Sequence, residues 1–285
     1  MTYQPFIIIG APRSGTNMLR DSLNMLPGVG TWPCDEINYI WRHGNVRYPS
    51  DEFSANMANA KVQYFIKRKF DSFAKSNDLD VLVEKTCANS LRAGFVDNVI
   101  PNAKYVFIVR DGIDAVGSAL ERWKASFDFS YTMKKARFVP IADVPYYGTR
   151  YFFNHLYRLL SREKHLAFWG PAMDDIDVLL ARHSLIEVCA LQWQRCVENA
   201  ERDFAAIPTG NIIRIRYEEF VNNPVSEFSK ISEFIGKPVP ASVNAYLAEN
   251  ISDQSVGKGR QALGEECIAQ LRPLIADTLD RFGYE

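Results

Sequence analysis

The sequence has no basic excess: 33 Lys and Arg stand against 34 Asp and Glu, a formal net charge of −1. General nucleic-acid binding relies on such an excess to replace phosphate counterions, so that class is set aside, while local sites for small anions stay open. Cysteine is scarce and unpatterned. Cys34, Cys87, Cys189, Cys196 and Cys267 form no C-x-x-C pair and no Cys/His metal spacing. Their odd number fits reduced, packed thiols in a reducing compartment. The apolar run at 6–9 is far too short to span a bilayer, and the start of the chain lacks the basic segment and long apolar core of a signal peptide. These absences lead to the expectation of a soluble, cytoplasmic protein with no nucleic-acid partner and no transmembrane segment. What is plentiful is core: 285 residues, 47% hydrophobic, with no long charge run. One large domain over 1–285 is expected.

A more local absence sits in FIIIGAPRSGTNMLRDSL, residues 6–23. Gly10 and Gly15 have the spacing of a phosphate-binding loop, G-x-x-x-x-G-K-[ST]. The lysine and hydroxyl that should follow are Thr16 and Asn17, and the nearby cation is Arg13, inside the loop. A nucleoside-triphosphate kinase or hydrolase needs a hydroxyl at position 17 for Mg²⁺ and a carboxylate at a neighbouring strand end. Residues 105–109 read as that strand, and it ends in Arg110. A cation there calls for an anion; Asp111 beside it reads as a partner or a cap of the next helix. Gly10 and Gly15 still permit backbone amides to surround an anion, and a helix starting near Thr16 aims its positive end at the same place. Arg13 adds a planar, forked charge. The loop reads as a phosphate or sulfate site.

Apolar periodicity places this loop in a repeating pattern. Residues 6–9 read as a strand buried on both faces, 80–83 as a second buried strand, and 105–109 and 212–215 as a third and fourth strand. Helices are predicted from Thr16 onward, over 59–73 with Val62, Phe65, Ile66, Phe70 and Phe73 on one stripe, and over 91–100, 112–124, 185–204, 225–235 and 265–282. Strands alternating with helices imply an α/β fold with a mainly parallel sheet covered on both faces. Such sheets bind ligands beyond the carboxyl ends of their strands, where the glycine loop, Glu84-Lys85-Thr86 and Arg110-Asp111 converge. Residues 127–184 break the rhythm and are rich in aromatic and basic residues, as expected of a largely helical insertion or lid that shapes an acceptor pocket.

The set GAPRSGT, VEKT and IVRDGIDAVGS resembles the sulfotransferases that use 3′-phosphoadenosine 5′-phosphosulfate. The match is piecewise, over about 5–26, 81–125 and 210–260. It implies a three-layer architecture like that of P-loop NTPases, no metal, and adenosine 3′,5′-bisphosphate as product. By resemblance the 5′-phosphosulfate falls to Arg13, Ser14, Gly15, Thr16 and Asn17. Arg110 and Ser118, eight apart, fall on the family's arginine and serine for the 3′-phosphate. Lys85 and Thr86 match the lysine–threonine pair at the second strand end. Tyr217-Glu218 resembles the pair near the adenine, and Lys258-Gly259, helped by Arg260, the late segment that closes over the 3′-phosphate.

One departure bears on mechanism. The cytosolic small-molecule branch carries a catalytic histidine directly after the lysine–threonine pair, where this chain has Cys87. Other branches use a glutamate from the segment after the first helix. Here that segment is TWPCDEINYIWRHGN, with Glu36 as the first candidate base and His43 the second; Glu84 is a third, but beside Lys85 it reads first as that lysine's ion-pair or hydrogen-bond partner. The expected reaction is in-line sulfuryl transfer to a hydroxyl or amine of a small-molecule, sugar or peptide acceptor, with Arg13 and Lys85 stabilising the leaving charge. The competing readings are an atypical P-loop kinase acting on a small molecule, and a catalytically silent nucleotide-binding protein.

Overall fold

The structure, a computed structural model, describes residues 3–124, 137–147 and 170–284. Five strands, β1 (Gln4–Ile9), β2 (Val29–Thr31), β3 (Val81–Lys85), β4 (Lys104–Val109) and β5 (Ile212–Arg216), form one parallel sheet in the order β2-β3-β1-β4-β5. β1 therefore lies at the centre, with Ile8 in register with Lys85 on one side and Val106 on the other. Ile7 and Ile9 enter one core with Leu82, Tyr105 and Phe107, whereas Phe6 and Ile8 enter a second with Val83, Val106 and Ile108. Successive side chains leave opposite faces of a strand, so cover on both faces produces an unbroken apolar run.

The helices in chain order begin with α1 (Thr16–Leu23), α2 (Asn38–Trp41), α3 (Ala60–Ser76), α4 (Ala93–Val99) and α5 (Gly112–Lys124). They continue with α6 (Ile176–Arg182), α7 (Leu185–Phe204), α8 (Tyr217–Asn222), α9 (Pro224–Phe234), α10 (Ala241–Asn250), α11 (Lys258–Leu263) and α12 (Glu265–Arg281). Leu19 and Leu23 of α1 cover one face of the sheet together with Phe220, Phe228 and Leu247. Ile66 and Phe70 of α3, Phe95 of α4, Val116 of α5, Trp193 of α7 and Ile275 of α12 cover the other. The result is a three-layer α/β sandwich of the P-loop NTPase-like kind. Helix starts follow local chemistry: the Asn59 side chain accepts from the Lys61 and Val62 amides at 3.1 Å, and Ser184 and Glu187 form a reciprocal capping box at the start of α7.

Several elements differ from the sequence pattern. β2 was not predicted; three residues including Gly30 carry no period, and it exists through pairing with β3. β3 runs on through Glu84 and Lys85, which pair with Ile7 and Ile8. The helix expected over 91–100 starts at Ala93, after a 3-10 turn over Cys87–Leu91. The short helices α8 and α11 and the weakly amphipathic α10 were also missed. The insertion expected at 127–184 falls largely outside the described residues. Its described stretch 137–147 docks on the segment after α1 through Phe138 against Trp32, Tyr147 against Tyr39, and Asp143 against His43. Among the described residues no helix is long and apolar enough to cross a membrane.

Candidate functional site

The site lies at the carboxyl tips of β1, β3 and β4. The chain leaves β1 and turns through Arg13 (φ 70°) and Gly15 (φ 82°) before α1 begins at Thr16. Gly15 is required twice: its φ is left-handed, and a Cβ there would lie 2.5 Å from the Tyr217 ring. The N-terminus of α1 has no side-chain cap, so its first-turn amides and positive dipole end face the loop. Ser14 is fully buried, and its hydroxyl has no hydrogen-bond partner.

Arg110, at the tip of β4, is buried but not fully committed. Its Nη1 donates to the Arg13 carbonyl at 3.0 Å, and Nη2 to the Ser255 carbonyl at 2.6 Å and Asp114 Oδ2 at 3.5 Å. Its Nε is buried without a partner. The guanidinium stands over the Tyr217 ring, 4.5 Å from the centroid, which fixes its plane. Ser118, two turns into α5, accepts from Arg13 Nε at 2.9 Å. The spacing of eight therefore brings Arg110 and Ser118 to the same cleft from a strand tip and a helix face.

The far wall is clipped on by carboxylates. Asp114 Oδ1 and Oδ2 accept from the Arg260 amide at 3.0 Å and the Gly257 amide at 2.6 Å. Asp111 caps α5 by accepting from the Asp114 amide at 2.9 Å, and its second oxygen accepts from Arg260 Nη2 at 2.7 Å. The cap read for Asp111 is present, but its ion-pair partner is Arg260, and the carboxylate beside Arg110 is Asp114. The backbones of α5 and α11 touch: a Cβ on Gly117 would lie 2.4 Å from the Gly259 carbonyl oxygen, and one on Gly259 would lie 2.2 Å from the Asp114 carbonyl oxygen. Gly259→Ala is therefore expected to lift 257–260 from α5 and destabilise the fold by about 1–3 kcal/mol, read as a lowered melting temperature.

The cleft so formed has a volume of about 320 Å³. Arg13, Gly15, Thr16 and Asn17 line it from the loop, Arg110, Gly117 and Ser118 from β4 and α5, and Tyr217, Ser255, Lys258 and Gly259 from the far wall. Three cations face it and no carboxylate among the described residues lines it, an arrangement suited to a small polyanion. Ser14 turns away into the interior, and Arg260 is spent on Asp111. The sequence pattern gives no sign of Ser255; it ends a short 3-10 turn, Asp253–Ser255, that carries no motif, and its hydroxyl is hydrogen-bonded to that of Tyr217.

A second cluster gathers at the tip of β3. Lys85 is buried and donates to Glu36 Oε1 at 3.2 Å, and the same oxygen accepts from the Cys87 amide at 3.3 Å. Burial is the largest single influence on Lys85 and disfavours its ammonium, but the charge and hydrogen bond of Glu36, with a smaller pull from Cys87, together raise the net pKa. Cys87, in the place of the cytosolic branch's histidine, keeps its proton: burial pushes its thiol up to about 12, although the residue retains partial exposure. Its sulfur lies 3.7 Å from Thr16 Oγ1, which links this cluster to the loop. The chain leading into Glu36 is tethered to α1, since Arg20 Nη1 donates to the Asp35 side chain and carbonyl at 3.2 and 3.3 Å.

The other two candidate bases are placed differently. His43 is 2.7 Å from Asp143 Oδ2 through Nδ1 and stacks on Phe65 at 3.6 Å. Glu84 is not the partner of Lys85. As consecutive strand residues they point to opposite faces, and Glu84, fully buried, accepts instead from Thr86 Oγ1 at 2.6 Å and Asn89 Nδ2 at 2.9 Å.

A family model described as the sulfotransferase family matches residues 5–160 and 154–241. No curated protein sequence matches the chain. Among solved structures, the fold is similar to the sulfotransferase domain from the curacin biosynthetic pathway, at a TM-score of 0.57 and 12% identity over 99% of this chain and 98% of that one. It is similar to the sulfotransferase STF9 of Mycobacterium avium, at 0.56 and 14% over 100% and 78%. It is also similar to the sulfotransferase domain of the Synechococcus PCC 7002 olefin synthase, at 0.55 and 15% over 100% and 96%. Those identities speak for the fold alone, but the family model covers most of the sequence: the chain belongs to the sulfotransferase family.

Proposed function

We propose that the protein transfers a sulfuryl group from 3′-phosphoadenosine 5′-phosphosulfate to a hydroxyl or amine, without a metal. The observation that carries this reading is the joining of the glycine loop, Arg110 with Ser118, and Lys258 in one cleft lined by cations. The residues fit the donor: Arg110 has an unused buried donor, Nε, and Tyr217 lines the cleft beside it. Asn17 stands where a Mg²⁺-binding hydroxyl would be needed, and Arg110 where a metal-binding carboxylate would be needed.

The loop amides, Arg13, Thr16 and Asn17 hold the 5′-phosphosulfate. Arg110, Ser118 and Lys258 hold the 3′-phosphate. The acceptor oxygen bonds to sulfur as the bond to the bridging oxygen breaks, and Glu36 takes the acceptor proton. Lys85 and Arg13 neutralise the charge gathering on the bridging oxygen, and adenosine 3′,5′-bisphosphate leaves. A transferred SO₃ unit carries less negative charge than a phosphoryl group, so side-chain cations and amides suffice. The stretch 137–147, docked on the Glu36 segment, supports a role for the 127–184 insertion in shaping the acceptor pocket.

Calorimetry with adenosine 3′,5′-bisphosphate in excess EDTA tests the reading. The expected result is micromolar, metal-independent binding. Absence of binding, with ATP bound in the presence of Mg²⁺, would replace it with the kinase reading.

A further inference from the structure

We propose that Glu84 is a positioning residue: through the Thr86 hydroxyl it locks the Ile37 amide, and so holds the neighbouring Glu36 carboxylate against Lys85. The inference rests on the sulfuryl-transfer reading above. Glu84 and Thr86 are fully buried, so neither meets the acceptor. Thr86 Oγ1 donates its one proton to Glu84 Oε1 at 2.6 Å, which leaves its lone pairs to accept the Ile37 amide at 3.2 Å. Ile37 follows Glu36, and Thr86 follows Lys85, so this bridge sits directly beside the Glu36–Lys85 pair.

A second route ties the same carboxylate to the same segment. Glu84 Oε2 accepts from Asn89 Nδ2, Asn89 Oδ1 accepts from Arg92 Nε at 2.9 Å, and Arg92 Nη2 donates to Asn38 Oδ1. Asn89 and Arg92 are also fully buried. Glu84 thus reaches residues 37 and 38 by two independent chains, with Glu36 just beyond them. Buried networks of this kind set geometry because every member has one satisfied arrangement.

The charged groups nearest Glu84 are Lys85, its chain neighbour on the opposite strand face, Glu36 and, beyond Asn89, Arg92; the Trp41 indole also lies near it. Burial raises the Glu84 pKa to about 7. Below that pH the carboxyl is protonated, the charge-assisted bond from Thr86 is lost, and the hydroxyl that accepts the Ile37 amide is no longer held in one orientation. The ionised form is the organised one, so turnover should rise with pH through this value.

The test compares wild type with Thr86→Val, Thr86→Ser and Glu84→Gln. One readout is calorimetric affinity for adenosine 3′,5′-bisphosphate. The other is formation of that product from the sulfated donor with water as acceptor, in which water oxygen bonds to sulfur, Glu36 takes a proton, and sulfate forms as the bridging bond breaks. Thr86→Val is expected to lower kcat by ~10²-fold, with affinity held within about threefold. Thr86→Ser should restore turnover, and Glu84→Gln should remove the acid limb near neutral pH. Unchanged kcat in Thr86→Val, equal losses of kcat and affinity, or an intact acid limb in Glu84→Gln would overturn the inference. If Thr86→Val fails to fold, the Glu84→Gln profile decides. Failure of the wild type itself to bind the bisphosphate would count against the sulfuryl-transfer reading, not against the variant comparison.

Discussion

Arg110→Ala is expected to weaken binding of adenosine 3′,5′-bisphosphate by at least ~100-fold, a loss of about 3 kcal/mol. The side chain lies at the junction of three walls. It grips the Arg13 carbonyl of the loop and the Ser255 carbonyl of the far wall, stacks on Tyr217, and keeps Nε unused. Charge-assisted hydrogen bonds to a phosphate contribute about 1.5–3 kcal/mol each, and Arg110 has the fork to make them. Arg110→Lys keeps the charge without the planar fork and should recover only part of the loss. Calorimetry without metal checks this, with thermal unfolding as control, because removal of Arg110 also loosens its carbonyl partners. Unchanged affinity in Arg110→Ala would refute the assignment of the 3′-phosphate to this side chain.

Glu36→Gln should act in the opposite pattern, on turnover and not on donor affinity. Loss of a general base costs roughly 10²–10⁴-fold in rate. The bisphosphate affinity should stay within about threefold, because Glu36 does not line the cleft that holds the cations. Glutamine still accepts from Lys85 and the Cys87 amide, so the geometry survives while the basicity is lost. His43→Ala removes the stack on Phe65 and the bond to Asp143 and is expected to cost much less. Single-turnover measurement with saturating donor and an acceptor found by screening hydroxylated compounds separates the two. Undiminished turnover in Glu36→Gln would eliminate it as base.

Much of the site could be read from the chain because it is local. A short apolar run, a glycine loop and a helix start follow one another without interruption from Phe6 to Leu23, so periodicity and loop chemistry identify them together. The eight-residue spacing of Arg110 and Ser118 is likewise contained in one strand–helix junction. β2 was not readable, since a three-residue edge strand owes its existence to a partner about fifty residues away. Ser255 was invisible for a similar reason: nothing beside it in sequence announces its contacts with Arg110 and Tyr217.

By itself, then, the sequence determined the α/β class, the glycine loop and the cation within it, because backbone conformation and charge are properties of neighbouring residues. Only the tertiary structure decided which acid meets which base. Glu84 and Lys85 are adjacent in the chain yet leave opposite faces of β3, so Lys85 pairs with Glu36 from a distant segment while Glu84 turns inward to Thr86 and Asn89. Pairing depends on direction and burial, and a strand reverses direction at every residue.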